Sequence, residues 1–230
     1  MNNLYVPHID KTGGQSVDLM LKNAFNSAGW TYDHNAGSTF PNTIKSKYAR
    51  IGMHHEYNPN IINDNWTKIL IIRKPLDRFL SAYNYFISEY WRDTGKYIDY
   101  SVQDFCNFTT QRLSGYVYPE QQQNLRGYIN SMTSLNAEQT CGFKFTNTNV
   151  FNVFDAVIDT SCLYKLKDLL HPLGLNVNTD VHINFAGQLM PTLKITREQD
   201  LTHTDLDCIN ELVDYQQELE LWKLYNAYTS

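Results

Sequence analysis

The sequence predicts an α/β fold: one domain over residues 1–230, with a mostly parallel central sheet flanked by helices. Three observations carry that expectation. An apolar run, Leu4-Tyr5-Val6, gives way through a Gly13-Gly14 turn to a helical pattern. A second apolar run, from Lys68 to Arg73, is followed by Pro75 and another helical pattern. No fixed-period repeat, low-complexity tract or linker interrupts this alternation of strand and helix.

Taken in order, the first helix is expected to turn Val17, Met20, Leu21, Ala24, Phe25 and Ala28 inward, since these positions share one face at 3.6 residues per turn. A strand is expected at Ala49 to His54. The Lys68–Arg73 run is continuous rather than alternating, as in strands covered on both faces. Pro75 suits a first helical turn, and Leu76, Phe79, Leu80, Tyr83, Phe86, Ile87, Tyr90 and Trp91 mark the buried stripe of the helix that follows. A strand over Val150–Ile158 should lead into a helix through Leu163, Leu166, Leu169 and Leu170, ended by Pro172 and Gly174. The last helix is expected from about Asp205 to Tyr228, with Leu206, Ile209, Leu212, Val213 and Leu219 inward.

Composition narrows the function. A chain of 230 residues, 42% hydrophobic and 13% aromatic, can bury a sizeable core. The net charge of −5 and the absence of a Lys/Arg run argue against a nucleic-acid partner, because phosphate-backbone affinity needs clustered cations. Cys106, Cys141, Cys162 and Cys208 form no C-x-x-C pair, which leaves a zinc site without support and reads as buried thiols. No stretch approaches 18 consecutive apolar residues and no charged start precedes an apolar one, so the expectation is a chain without membrane segment or signal.

A glycine turn between strand and helix presents backbone N–H groups at the positive end of the helix, which makes an anion site that a phosphate can approach closely. Lys11 adds a point charge, and Thr12, Gln15 and Ser16 add side-chain donors. A Walker A loop carries its lysine after the glycines, whereas Lys11 precedes Gly13 and Gly14, so hydrolysis of ATP or GTP is disfavoured. A second anion site is suggested by Arg73 at the end of its strand and Ser81 eight residues on, a guanidinium fork and a hydroxyl near one strand end. The competing reading pairs Arg73 with Asp77. Arg78 reads as a solvated or structural charge.

The two segments together resemble a known family. Residues 8–16, HIDKTGGQS, resemble the H-I-P-K-T-G-G-T-S segment of the carbohydrate sulfotransferases related to heparan sulfate 2-O-sulfotransferase. Residues 73–86, RKPLDRFLSAYNYF, resemble that family's R-D-P-x-x-R-x-x-S-x-Y segment, in the same order and at a matching separation. The resemblance implies a sulfotransferase-like domain using 3′-phosphoadenosine 5′-phosphosulfate (PAPS) as sulfuryl donor. Lys11, Thr12, Gly13, Gly14, Gln15 and Ser16 would hold its 5′-phosphosulfate, and Arg73 and Ser81 its 3′-phosphate. Asp10 replaces the family's proline, and Lys74 replaces its acidic residue, making the 3′ site more positive. Residues 181–187, VHINFAG, resemble a stretch that closes over the nucleotide, which adds Asn184, although Phe185 stands where lysine is usual.

Sulfuryl transfer to an alcohol needs a base for the acceptor hydroxyl and positive charge on the departing oxygen, a role that suits Lys11; it requires no metal. Relatives place a histidine in a segment corresponding to GMHHEY, residues 52–57, which makes His54 the first candidate base and His55 the second, with Glu56 as orienter or alternative base. His8, His34 and His171 read as structural. The acceptor is expected to be a carbohydrate or another hydroxylated molecule. A neutral or lightly charged glycan suits the charge of −5 better than a highly sulfated one. Sixteen tyrosines and four tryptophans offer stacking surfaces, but most sit at core spacing. Two other readings stay open: a nucleotide-dependent phosphotransferase, and a non-catalytic nucleotide- or glycan-binding module on the same fold. The expected compartment is the cytoplasm for a complete bacterial or viral chain, and the Golgi lumen for a trimmed eukaryotic one.

Overall fold

The computed structural model describes residues 3–8, 12–33, 44, 46–53, 60–94, 101–113, 150–181 and 195–229. The chain divides into two compact units: Met1–Arg73 with Ala137–Ile183 and Leu224–Ser230, and Lys74–Asn136 with Asn184–Lys223.

The first unit is built on five strands: β1 (Asn3–His8), β2 (Thr31–Asp33), β3 (Tyr48–Met53), β4 (Trp66–Ile72) and β5 (Ala156–Asp159). They lie in the order β2-β3-β1-β4-β5, and each neighbouring pair is parallel. The chain therefore adopts the expected α/β fold with a parallel sheet. In β1, Leu4 and Tyr5 are fully buried and Val6 nearly so, which explains a run that is apolar without alternation. Leu4 and Val6 face α1 (Gly14–Ala28), while Tyr5 stacks on Phe154 with ring centroids 6.4 Å apart. The helical face read from the spacing is the one that packs on the sheet: Val17, Met20, Leu21, Ala24 and Phe25 are buried, and Ala28 is partly so. Phe25 lies against Trp30 and Tyr32, with centroids 5.6 and 5.4 Å away.

Two expectations need correction in this unit. The run from Val150 is not one strand: Val150–Val153 forms a helical turn, α4, and β5 begins only at Ala156. Between them, Asp155 clamps onto β4, donating its N–H to the Lys68 carbonyl at 2.9 Å and accepting the Lys68 N–H on its carboxylate at 2.7 Å. The helix through Leu163 to Leu170 starts as a 3₁₀ segment, Thr160–Lys165, and becomes α5 only over Leu166–Leu170. Pro172 lies within a further 3₁₀ turn, and Gly174, at φ 74°, ends it as expected.

The second unit contains α2 (Pro75–Thr94), α3 (Val102–Leu113), α6 (His203–Asn210) and α7 (Val213–Thr229) as far as Lys223. Pro75 occupies the first helical position, and Leu76, Phe79, Leu80, Tyr83 and Ile87 are buried as the spacing requires. α3 was not among the expected elements. It carries Val102, Phe105 and Cys106 on one buried face, and the Phe105 ring meets Phe79 and Tyr83 edge-on at 5.6 Å. The expected helix from Asp205 to Tyr228 is two helices broken at Glu211-Leu212. Leu212 turns into the core there, its N–H bonding back to Ile209, and the inward positions beyond the break become Glu218, Leu221 and Tyr225 rather than Leu219. None of Cys106, Cys162 and Cys208 is in a disulfide, and burial pushes the Cys106 thiol well above its ordinary range. Among the described residues no helix is long and apolar enough to cross a membrane.

The N-terminus of α6 is held by a reciprocal cap. The Thr202 hydroxyl accepts the Asp205 N–H at 3.2 Å, while the Asp205 carboxylate accepts the Thr202 N–H at 2.9 Å and the Thr202 hydroxyl at 2.7 Å. Gln103 of α3 donates to the same carboxylate at 3.0 Å. Burial raises the Asp205 pKa, but these hydrogen bonds favour the charged form and outweigh it, so the net shift is downward. The stabilisation is therefore complete above the ordinary carboxylate range and is lost as pH falls through the lowered value. Asp205→Ala is expected to lose about 1–2 kcal/mol at pH 7, with the gap to wild type narrowing below about pH 4; urea unfolding across pH reads both.

Candidate functional site

Parallel strands all end on one side of the sheet, and the order β2-β3-β1-β4-β5 marks a place on that side where the chain diverges. From β1 it leaves toward β2 and β3; from β4 it leaves toward β5. The crevice beyond a sheet at such a reversal is where ligands bind in open α/β folds. The turn that follows β1 contains Thr12, Gly13 and Gly14, and Arg73 follows β4. β4 lies beside β1, paired with it from Asn3–Trp66 to Tyr5–Lys68, and ends at Ile72, so Arg73 follows the carboxyl end of the neighbouring strand.

Gly13 is the residue before α1 and takes a left-handed conformation, φ 75° and ψ 19°. Among the described residues a side chain there would meet nothing closer than 3.6 Å, and the backbone angle by itself calls for glycine. The Gly13 carbonyl accepts the N–H groups of Ser16 and Val17 at 3.0 and 3.1 Å. The N–H groups of Gly14 and Gln15 precede the first helical bond and have no helical carbonyl to meet. Gly13, at the N-cap position, has no side chain with which to cap this end of the helix, and the first turn holds no acidic residue. The positive end of a 15-residue helix thus has no carboxylate in its own first turn. The Asp18 carboxylate, one turn further on, pairs with Lys22 at 3.3 Å.

Thr12 and Ser16 are buried, while the Gln15 side chain is exposed, so the main contribution of Gln15 to the turn is its backbone N–H. A small cleft at the turn is lined by Val6, Pro7, Ile51 and Ile71 of the strands, Thr12 and Gly14 of the turn, and Val17 and Asp18 of α1. Arg73 is half-buried. Ser81 is half-buried in the second turn of α2, in the other unit. Lys11, His54, His55, Glu56 and Asn184 lie outside the described residues. β3 ends at Met53, paired with His8 of β1, so His54 and His55 are the residues that follow the strand end beside the glycine turn.

Two charges of the second segment have partners in its own unit. The Lys74 ammonium donates to Glu198 at 2.9 Å, and that hydrogen bond raises its pKa, so much of the charge expected beside Arg73 is offset. Arg78 is almost fully buried, with its guanidinium 3.7 Å from the Glu218 carboxylate, which makes it a structural charge.

Sequence reasoning missed one part of this edge. β5 ends in Asp159, opposite Ile72 of β4, and the next residue, Thr160, reaches the glycine turn. The signal was the D-T-S run closing an apolar stretch, a carboxylate and two hydroxyls at a strand end. Among the described residues, no cluster of three or more His, Cys, Asp or Glu side chains is arranged to hold a metal ion.

The sequence matches the model of a family described as the sulfotransferase family over residues 2–164, a span that takes in the glycine turn, Arg73, Ser81 and Thr160 but not Asn184. Comparison with curated proteins gives no match.

Proposed function

Since the chain belongs to the sulfotransferase family, we propose that it transfers the sulfuryl group of PAPS to a hydroxyl of a carbohydrate or glycan acceptor. The observation that supports this reading is the N-terminus of α1, entered through a left-handed Gly13 with no acidic residue in its first turn, in a sheet whose strand order reverses between β1 and β4. That donor set suits a doubly anionic ligand: backbone N–H groups with Lys11 for one end, a guanidinium with the Ser81 hydroxyl for the other.

PAPS would supply a sulfuryl group already bonded to a phosphate leaving group. The chain's own residues then have three tasks. His54, or failing it His55, takes the proton of the acceptor hydroxyl. Lys11 and the N-terminus of α1 stabilise charge on the oxygen that departs. Arg73, Ser81 and Asn184 hold the rest of the nucleotide. An acceptor of low charge fits a chain at −5 without a basic run.

A thermal melt with 3′-phosphoadenosine 5′-phosphate, against AMP and against ATP with magnesium, tests the reading. The bisphosphate alone is expected to raise the midpoint without metal, since a ligand at 100 times its dissociation constant adds about 2.7 kcal/mol. A shift with ATP and magnesium only, or none, would turn the reading toward a phosphotransferase or a fold that has lost its nucleotide.

A further inference from the structure

The end of β5 carries a polar corner that has no part in the transfer scheme. Asp159 stands opposite Ile72, one residue short of Arg73. One oxygen of its carboxylate accepts the Thr160 hydroxyl at 3.2 Å, and the other accepts the hydroxyl of Ser161. With its hydroxyl tied back in this way, half-buried Thr160 turns its methyl group toward the glycine turn. The Cγ2 atom lies 3.6 Å from the point where a side chain on Gly13 would begin.

This contact falls where the turn most needs support. Glycine has more backbone freedom to lose than any other residue, and Gly13, at the N-cap position of α1, brings no side chain of its own to hold the turn. A turn that must present the N–H groups of Gly14 and Gln15 to an anion binds better if that conformation is already selected before the ligand arrives. The Thr160 methyl lies on the side of Gly13 toward which a side chain would project.

We propose that Thr160 is a positioning residue for the donor nucleotide, its methyl holding the Thr12–Ser16 turn in the anion-binding conformation while Asp159 locks the hydroxyl. The inference rests on the reading of that turn as the 5′ site. It assigns the role to the methyl, not to the hydroxyl, and that division can be measured.

Calorimetric titration of the full chain with 3′-phosphoadenosine 5′-phosphate and with adenosine 3′-phosphate, on wild type and on Thr160→Ser, Thr160→Ala and Thr160→Val, provides the test. Serine and alanine remove the methyl and are expected to weaken the bisphosphate roughly fivefold, equivalent to about 1 kcal/mol. Valine restores the methyl and with it the affinity. Adenosine 3′-phosphate, which lacks the 5′ group, is expected to bind all four proteins alike, an outcome that general loss of structure would not produce. Serine and alanine variants that bind the bisphosphate as wild type does, a valine variant as weak as alanine, or an equal loss for both ligands would overturn the assignment. A wild type that binds neither ligand would overturn the 5′-site reading and this inference together.

Discussion

Glu218→Ala is expected to destabilise the protein by about 3–5 kcal/mol, measured as a lower urea midpoint. Glu218 and Arg78 each expose only 6% of their side chains, and the Arg78 guanidinium lies 3.7 Å from the carboxylate. Alanine at 218 would leave a buried guanidinium without this carboxylate. An arginine cannot escape that cost by losing its proton, as a buried lysine can. Domains of this kind are stable by only about 5–15 kcal/mol, so the loss would be a large fraction of the total. Replacing both residues with apolar ones, Arg78→Met with Glu218→Leu, should recover most of it, because the pair also carries a desolvation cost. A single variant that lost less than about 1 kcal/mol, the range of an exposed pair, would show that the pair is hydrated in solution. The result bears on function as well. Arg78 lies in the segment that resembles a 3′-phosphate site, and its burial against Glu218 assigns it to the packing of α2 on α7.

Arg73→Ala is expected to weaken 3′-phosphoadenosine 5′-phosphate by about 10- to 100-fold, since a hydrogen bond to a charged group contributes about 1.5–3 kcal/mol. AMP, which has no 3′-phosphate, should bind the variant and the wild type alike. Titration of both ligands separates a lost phosphate contact from a general defect. Equal bisphosphate affinity in variant and wild type would remove Arg73 from the site. The arginine is half-buried just past the carboxyl end of β4, so its guanidinium has less freedom to lose on binding than one at the tip of a loop.

Much of this framework was legible in the residues. The strand-turn-helix of residues 4–28 and the one beginning at Lys68 were visible because continuous apolar runs and 3.6-residue spacing are strong local signals, and the residues picked as inward in both helices are buried wherever their side chains are described, apart from partly buried Ala28. The glycine turn was legible for the same reason, as its left-handed angle is written into the residue type. Weaker local signals failed. Thr31–Asp33 is a three-residue edge strand with no apolar alternation to mark it. Val150–Val153 was taken for strand because a short apolar run looks the same in either conformation, and only the clamp of Asp155 on Lys68 decides where the sheet begins. α3 did carry a signal: the Ser101 hydroxyl accepts the Asp104 N–H and the Asp104 carboxylate accepts the Ser101 N–H, an S-x-x-D cap that sequence reading passed over. The approach of Thr160 to Gly13 could not have been read, because it joins residues from opposite ends of the family match through a sheet order that no local pattern encodes.

The central place of β1 has a consequence for synthesis. Both of its edges pair with strands made later: Asn3 meets Tyr48 on one side and Trp66 on the other. At ribosomal rates of about 5–20 residues per second, β1 waits roughly 3–13 seconds after emerging before its second neighbour exists. Until β3 is made this apolar strand has two open edges, and one stays open until β4 follows, the state in which nascent chains pair wrongly with one another. The glycine turn and α1 are complete long before Trp66 is made, so the amphipathic helix can fold back on β1 and cover one of its faces in the meantime. The segment proposed to hold the donor anion would then be, during synthesis, the first shelter of the central strand.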